Sequence, residues 1–304
     1  MGLRHKLGQQ PVIGRVVRAG RLVASDRHNP QAFLPGNFAS PIASLAEIDA
    51  DAPRIFANDR RSLPGIELRE DAQLSLLEEF AAYYDQIPWQ PGPTTGLRYY
   101  FENEMFSYSD AIFLYSMIRH AQPGRVVEVG SGFSSAVMLD TDQRFLNESI
   151  KFTFVEPYPD RLLALLTERD KSRVELIKDR VQHVDIETFS SLKSGDIVFV
   201  DSSHVGKVGS DVNHLLFEVF PILASGVYVH IHDVFYPFEY PREWISLGFG
   251  WNEDYLIRAF LMFNTRFSVV AFNTYLEQFH ADWFRQKMPL CLINTGGSIW
   301  LRVN

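Results

Sequence analysis

The sequence predicts an α/β protein built on a doubly wound, mostly parallel sheet, and three observations carry that prediction. Between residues 125 and 231 short apolar runs alternate with helical stretches. The runs are continuous in Val, Ile and Phe, as strands buried on both faces are, rather than alternating apolar with polar. A strand entering a glycine-rich turn and then a helix stands at the head of the series. The runs are Arg125–Val129, Lys151–Val155, Val174–Ile177, Asp196–Val200 and Gly226–Ile231. The segments Ser134–Phe145, Asp160–Arg169 and Asp211–Leu223 supply the crossovers. Such a sheet binds its ligand beyond the carboxyl ends of its strands. Further on, Trp251–Phe263 reads as a helix, and Phe267–Phe272 and Ser298–Val303 as two closing strands, seven in all.

Upstream, Leu68–Asp85 has helical spacing, with Leu74, Leu76, Leu77, Phe80 and Tyr84 on it. Three prolines in Ile87–Pro93 end it, because proline removes donors and restricts the preceding residue. The main boundary is placed there, giving a partly helical N-terminal extension over 1–95 and the α/β domain over 96–304. Residues 27–65, rich in Pro, Asn, Asp and Gly, read as irregular packing or linker. Ser109 is placed as the cap of a helix through Arg119, which Pro123-Gly124 stops.

Composition narrows the function. A net charge of −8 argues against general nucleic-acid binding, which needs clustered Lys and Arg. The single cysteine, Cys291, excludes an internal disulfide framework and a cysteine-based zinc site. No apolar run reaches the length of a membrane span, and the basic first 25 residues lack the apolar core of a secretory signal. That opening segment reads as a solvated terminus or as a basic amphipathic surface helix. A cytoplasmic protein acting on a small-molecule or glycan partner is expected, with a homo-oligomer compatible.

The turn at Glu128-Val129-Gly130-Ser131-Gly132 suits any nucleotide-like cofactor, since Gly130 and Gly132 allow a sharp turn and a close approach. Three details favour S-adenosylmethionine (AdoMet) over a dinucleotide. Ser135 stands where the dinucleotide pattern requires a third glycine. Glu128 places a carboxylate at the loop, repelling a pyrophosphate but attracting an ammonium and a sulfonium. Glu156 ends the next strand, where a ribose-binding carboxylate belongs, although it serves either cofactor class.

The run EVGSGFSS, followed by FVEPYP, DIVFVDSSH and a strand ending HIHD, resembles the class I AdoMet-dependent methyltransferases, and more narrowly the branch called methyltransferase family 24. The resemblance covers residues 99–304, most densely 125–245. It implies a Rossmann-like seven-stranded sheet with helices on both faces. It implies that Glu128, Gly130, Ser131, Gly132 and Ser134 surround the methionine part of AdoMet and that Glu156 binds the ribose. Gln182 is placed near the adenine, with a polar loop as the other reading. Tyr108 and Asn103 fall in the region that closes over the cofactor in related folds.

Asp201 and His204 end the fourth predicted strand and His230, His232 and Asp233 the fifth, so they converge beside the expected methyl group. Asp201, His204 and His232 are the catalytic candidates, with helix capping the alternative for His204. His230, deeper in its strand, reads as core. Metal-using relatives place acids at the ends of both strands, which makes Asp201, His232 and Asp233 candidate ligands for Mg, Mn or Fe. A metal-free histidine route stands beside this one, because no Asn or second acid follows Asp233. The aromatic segment after Asp233 reads as a lid or a wall for a sugar or aromatic acceptor. The function expected is O-methylation of a small molecule or sugar. An NAD-dependent oxidoreductase and a non-catalytic AdoMet-binding protein are the alternatives.

Overall fold

The predicted strands form in a computed structural model that describes residues 32–304. They are β1 (Arg125–Val129), β2 (Lys151–Val155), β3 (Glu175–Ile177), β4 (Ile197–Val200), β5 (Tyr228–His232), β6 (Phe267–Phe272) and β7 (Ser298–Val303). They make one sheet in the order β3-β2-β1-β4-β5-β7-β6. The first five are parallel; β7 enters antiparallel between β5 and β6. The central strands are buried on both faces, as their unbroken apolar sequences require. The basic opening segment lies outside the described residues.

Two compact units are present among those residues, 32–57 with 246–250, and 58–245 with 251–304. The first carries a helix, α1 (Leu45–Ile55), inside the stretch expected to be irregular. Pro53 and the run of acidic residues masked it, yet the proline lies in the last turn and leaves most of the ladder intact. The second unit contains the sheet. Its helices include α2 (Glu70–Tyr84), α3 (Tyr108–Ala121), α4 (Phe133–Phe145), α5 (Asp160–Leu165), α6 (Glu253–Leu261), α7 (Asn273–Phe279) and α8 (Ala281–Lys287). The stretch expected as a helix over 211–223 is broken into an α turn, a π turn over Leu215–Val219 and a 3₁₀ turn containing Pro221. No helix among the described residues is long and apolar enough to cross a membrane.

Residues 58–95 share the core of the second unit: Leu63, Leu77, Phe80 and Trp89 join the cluster formed by α3 and the sheet. The chain is fastened there by a buried charge cluster. Arg98 pairs bidentately with Asp170 at 2.6 and 2.8 Å and with Asp140 at 2.7 Å. Asp140 also accepts hydrogen bonds from the Trp89 indole (2.9 Å) and the Tyr99 amide (3.1 Å). The two carboxylates are fully buried and the guanidinium is 7% exposed. From this anchor the chain runs to a turn closed by Asn103, whose carboxamide accepts from the Met105 and Phe106 amides. The Tyr99 hydroxyl donates to the Phe106 carbonyl at 2.8 Å. Met105 and Phe106 are thereby fixed over the carboxyl edge of the sheet.

Removing Arg98 leaves two buried carboxylates unpaired, so Arg98→Met is expected to destabilise the protein by about 3–5 kcal/mol. Urea denaturation measures this, and an unchanged midpoint would refute the clamp.

Candidate active site

Strand register builds the site. Val129 pairs with both Val155 and Val200, and Val200 with Ile231. Gly130, Glu156, Asp201 and His232 therefore emerge level at the carboxyl edge. Asp201 donates its amide to the Val129 carbonyl at 2.9 Å, and Gly130 donates to Val155 at 3.0 Å. Position 130 must be glycine: its φ is +82°, and an ideal Cβ there would fall 1.7 Å from the Asp201 carbonyl oxygen.

The loop after Gly130 is stiffened from below. Ser134 Oγ donates to Glu128 at 2.6 Å, and Ser135 Oγ donates to the other oxygen of the same carboxylate. Ser135 Oγ also accepts from the Gly132 amide at 3.0 Å. Glu128 is fully buried, and burial pushes its carboxyl up to about 8 despite the serine hydroxyls. The expectation of a charged carboxylate facing the ligand is corrected: Glu128 lies beneath the loop and acts on the loop itself. Ser135 is explained by the same bonds, since a third glycine could not bridge Gly132 to Glu128.

Glu156 does face open space. Its carboxylate accepts from the Ser131 amide at 3.0 Å and the Tyr158 amide at 2.8 Å. It stands where two chambers meet, together with Gly130, Asp201 and Ser202. The larger chamber, about 510 Å³, is walled by Tyr158, Arg180, Gln182 and Lys207. Gln182 is held there by its Nε2, which donates to the Gly209 carbonyl at 2.8 Å. The smaller, about 320 Å³, is walled by Met105, Phe106, Arg161, His204, His232 and Trp251. Ser131, Gly132 and Ser134 line it as well. Tyr108 lines neither chamber; it stacks on Phe101 at 4.7 Å and its hydroxyl reaches Glu102 at 3.3 Å. The cap of its helix is Ser107 rather than the expected Ser109, so Tyr108 is the first helical residue and its ring packs into the core.

In the smaller chamber the acids and histidines converge. His204 Nε2 lies 3.4 Å from both Asp201 and Asp233, and His232 Nδ1 lies 3.4 Å from Asp201 and 3.6 Å from Asp233. Asp201, His204 and Asp233 each offer a donor atom within 4.8 Å of the others. That set adds His204 to the expected ligands, while the expected His232 stands with Nδ1 beside the same two acids. The cause is local backbone: His204 (φ +58°) and Asp233 (φ +55°) both take left-handed conformations that side chains disfavour, aiming them at Asp201.

Burial opposes charge on His204, but its contacts with Asp201 and Glu253 and the charge of Asp233 outweigh it and raise the imidazole to about 10. His232 is raised well above its usual value against the same penalty, by Asp233, Asp201 and Asp110. Asp201 is lowered, the nearby His232 charge overcoming burial, whereas burial leaves Asp233 raised to about 6. His230 is a core residue: it stacks on Phe199 at 4.0 Å beside Trp300, and burial pulls it well below the ordinary value.

Sequence reasoning missed Asp110 and Glu253, which stand behind the two histidines. It also missed Met105, Arg161 and the placement of Trp251, whose ring tilts over His204 at 4.5 Å. The signal for Glu253 was an acid pair opening a helix after the aromatic segment; Asp110 gave none. Of that segment, Tyr236, Phe238 and Tyr240 are buried.

A family model described as a methyltransferase domain matches residues 127–234, the span holding the glycine loop, Glu156, Asp201 and both site histidines. A protein of Archaeoglobus fulgidus, described as uncharacterised, is 35% identical over 177 residues, 57% of this chain and 79% of that protein. The chain belongs to this methyltransferase family. Among solved structures, a methyltransferase of Podospora anserina bound to S-adenosylhomocysteine shares 17% identity, covering 90% of this chain and 99% of that one, with a TM-score of 0.44. The O-methyltransferase TomG of Streptomyces achromogenes, solved with AdoMet, shares 13% identity over 85% of this chain and 96% of its own, also at 0.44.

The electrostatics of this methyltransferase predict a pH response. A group raised on folding, such as His204, contributes stability fully below its unfolded value near 6.5, and that contribution is lost as pH rises through about 10. Glu128, raised to about 8, acts with the same sign. Chelator-treated methyltransferase is expected to show a falling Tm from pH 7 to 10, with His204→Gln flattening the upper half. A His204→Gln curve parallel to wild type would refute the assignment.

Proposed function

We propose that this methyltransferase uses AdoMet and transfers its methyl group to a hydroxyl of a small molecule or sugar. One observation carries the reading: Glu156, preset by two backbone amides, stands at the end of β2 where two chambers meet. A ribose held by Glu156 puts the adenine into the larger chamber toward Gln182. Ser131, Gly132 and Ser134 would then hold the methionyl part beside the smaller chamber. Gly130 sets the approach distance, and Glu128 serves the cofactor indirectly by fixing the loop. Tyr108 supports the 101–106 turn from the core.

When bound, AdoMet would supply an electrophilic methyl carbon for in-line attack by the acceptor oxygen, the new O–C bond replacing the C–S bond and sulfur leaving as a neutral thioether. What remains for the protein is orientation and removal of the hydroxyl proton. Asp201, His204 and His232 are the catalytic candidates. Both imidazoles are ringed by carboxylates that favour their protonated forms, which weakens each as a free base. The donor set fits a divalent ion better: Asp201, His204 and Asp233 converge, and Nδ1 of buried His232 has no hydrogen-bond partner. When bound there, such an ion would act as a Lewis acid that lowers the hydroxyl's pKa. Residues 1–95 are proposed as an extension to a catalytic domain over 96–304.

Calorimetry is expected to show AdoMet and S-adenosylhomocysteine binding in the micromolar range, about −8 kcal/mol. Glu156→Ala should weaken both at least tenfold. Absence of binding by either compound would overturn the reading. Transfer of labelled methyl to a panel of alcohols, amines and thiols tests the attacking atom, and transfer to amines alone would refute O-methylation.

A further inference from the structure

We propose that Asp110 and Glu253 are positioning residues that orient His232 and His204 as ligands, and that they make the cluster a site for a first-row transition ion in preference to Mg²⁺. The proposal rests on the metal reading given above and goes beyond it in naming the ion class and the residues that select it.

Each site histidine has one nitrogen turned to the chamber and the other turned to a buried carboxylate. His204 Nδ1 lies 3.0 Å from Glu253, leaving Nε2 for Asp201 and Asp233. His232 is the reverse: Nε2 lies 3.4 Å from Asp110, leaving Nδ1 for the same two acids. Glu253 and Asp110 are 3% and 4% exposed. A carboxylate behind an imidazole fixes the ring plane and makes the far nitrogen a better donor to a metal.

Both outer carboxylates are themselves held. Asp110 accepts from Asn273 Nδ2 at 2.9 Å and from the Gly297 amide at 3.2 Å. An ideal Cβ at position 296 would fall 2.0 Å from its Oδ2, so glycine there (φ +61°) makes room for the carboxylate. Glu253 opens α6, and the amides of Asn252 and Glu253 both donate to the His204 carbonyl. Asn252 Oδ1 in turn accepts from Gly206 at 2.6 Å. Ring and backbone of His204 are thus gripped by the same pair of adjacent residues, Asn252 and Glu253.

The spacing on the chamber side fits a shared ion. Two ligand atoms each about 2.1 Å from one ion stand about 3.0–3.4 Å apart at angles of 90–109°. Three nitrogen–oxygen separations, His204 to Asp201 and to Asp233 and His232 to Asp201, are 3.4 Å; the fourth, His232 to the other oxygen of Asp233, is 3.6 Å, just beyond that range. His232, 7% exposed in its side chain, has no hydrogen-bond partner on Nδ1, which a coordinated ion would remedy. Two imidazoles beside two carboxylates suit Mn²⁺, Fe²⁺, Co²⁺ or Zn²⁺, whereas Mg²⁺ prefers oxygen donors and retained water.

The test uses the full chain after dialysis against chelator, titrated with Co²⁺ by visible absorption and with Mn²⁺, Zn²⁺ and Mg²⁺ by calorimetry. Wild type is expected to bind Co²⁺ with an imidazole-containing spectrum and to bind each transition ion at least tenfold more tightly than Mg²⁺. Glu253→Gln and Asp110→Asn should each weaken Co²⁺ by about 10–100-fold and alter the spectrum. Glu253→Asp and Asp110→Glu keep the charge, and partial recovery of Co²⁺ affinity is expected from them even where an amide variant fails to fold. No binding of any ion to wild type overturns the metal reading itself. Binding that the four variants leave unchanged overturns the positioning role alone, and Mg²⁺ affinity equal to that of the transition ions overturns the selectivity.

Discussion

The closeness of Gly130 to the Asp201 carbonyl is the constraint on which the rest of the site depends. It follows from parallel pairing of β1 with β4, which brings two strand ends to the same height and leaves no volume for a side chain between them. Because the contact is backbone to backbone, the glycine loop and the acid cluster are parts of one rigid edge. Glu156 joins from the other side of β1, through the Ser131 amide. Four strand ends, each buried and hydrogen-bonded along its length, therefore position a site whose polar groups all project beyond the sheet.

Electrostatics around that edge are arranged by depth. Glu128 is buried away from opposite charge, and its carboxyl is driven toward neutrality. Asp201 is also buried but faces two imidazoles, and is driven toward ionisation. The same chemical group answers in opposite directions according to its neighbours. Arg98 solves a third version of the problem by placing a guanidinium between two buried carboxylates.

Much of this was legible in the sequence. All seven strands and the first crossover helix follow from apolar runs and their spacing, whereas the crossovers expected over 160–169 and 211–223 are broken, and the glycine loop marks the carboxyl edge. The positions of Glu156 and Asp201 at the carboxyl edge were legible because a strand end is visible as the last residue of such a run. What failed were features set by neighbours distant in sequence. Whether Glu128 meets solvent depends on Ser134 and Ser135 folding back over it, and not on its place in the motif. His204 joins the converging donors because two residues adopt left-handed backbone, which no periodicity reveals. Tyr108 was misplaced by a small error in a helix start, enough to rotate a ring into the core. Asp110 carries no local pattern and Glu253 only that of an acid pair opening a helix; the tertiary fold alone sets them behind their histidines. The helix pair 273–287 passed unread between two strands that were recognised.

The two chambers differ in what builds them. The larger is walled chiefly by the turns that follow β1 to β4, whereas the smaller borrows Met105, Phe106 and Trp251 from segments outside the strand ends. Those segments are anchored separately, one by Arg98 and Asn103, the other by the clasp of Asn252 on Gly206. Substitutions at 105, 106 or 251 can therefore reshape one chamber without disturbing the pairing of the sheet. In a lineage descended from this chain, diversification would concentrate on those walls while the strand ends stayed fixed. The fold keeps its evolvable surface physically apart from the part it cannot afford to change.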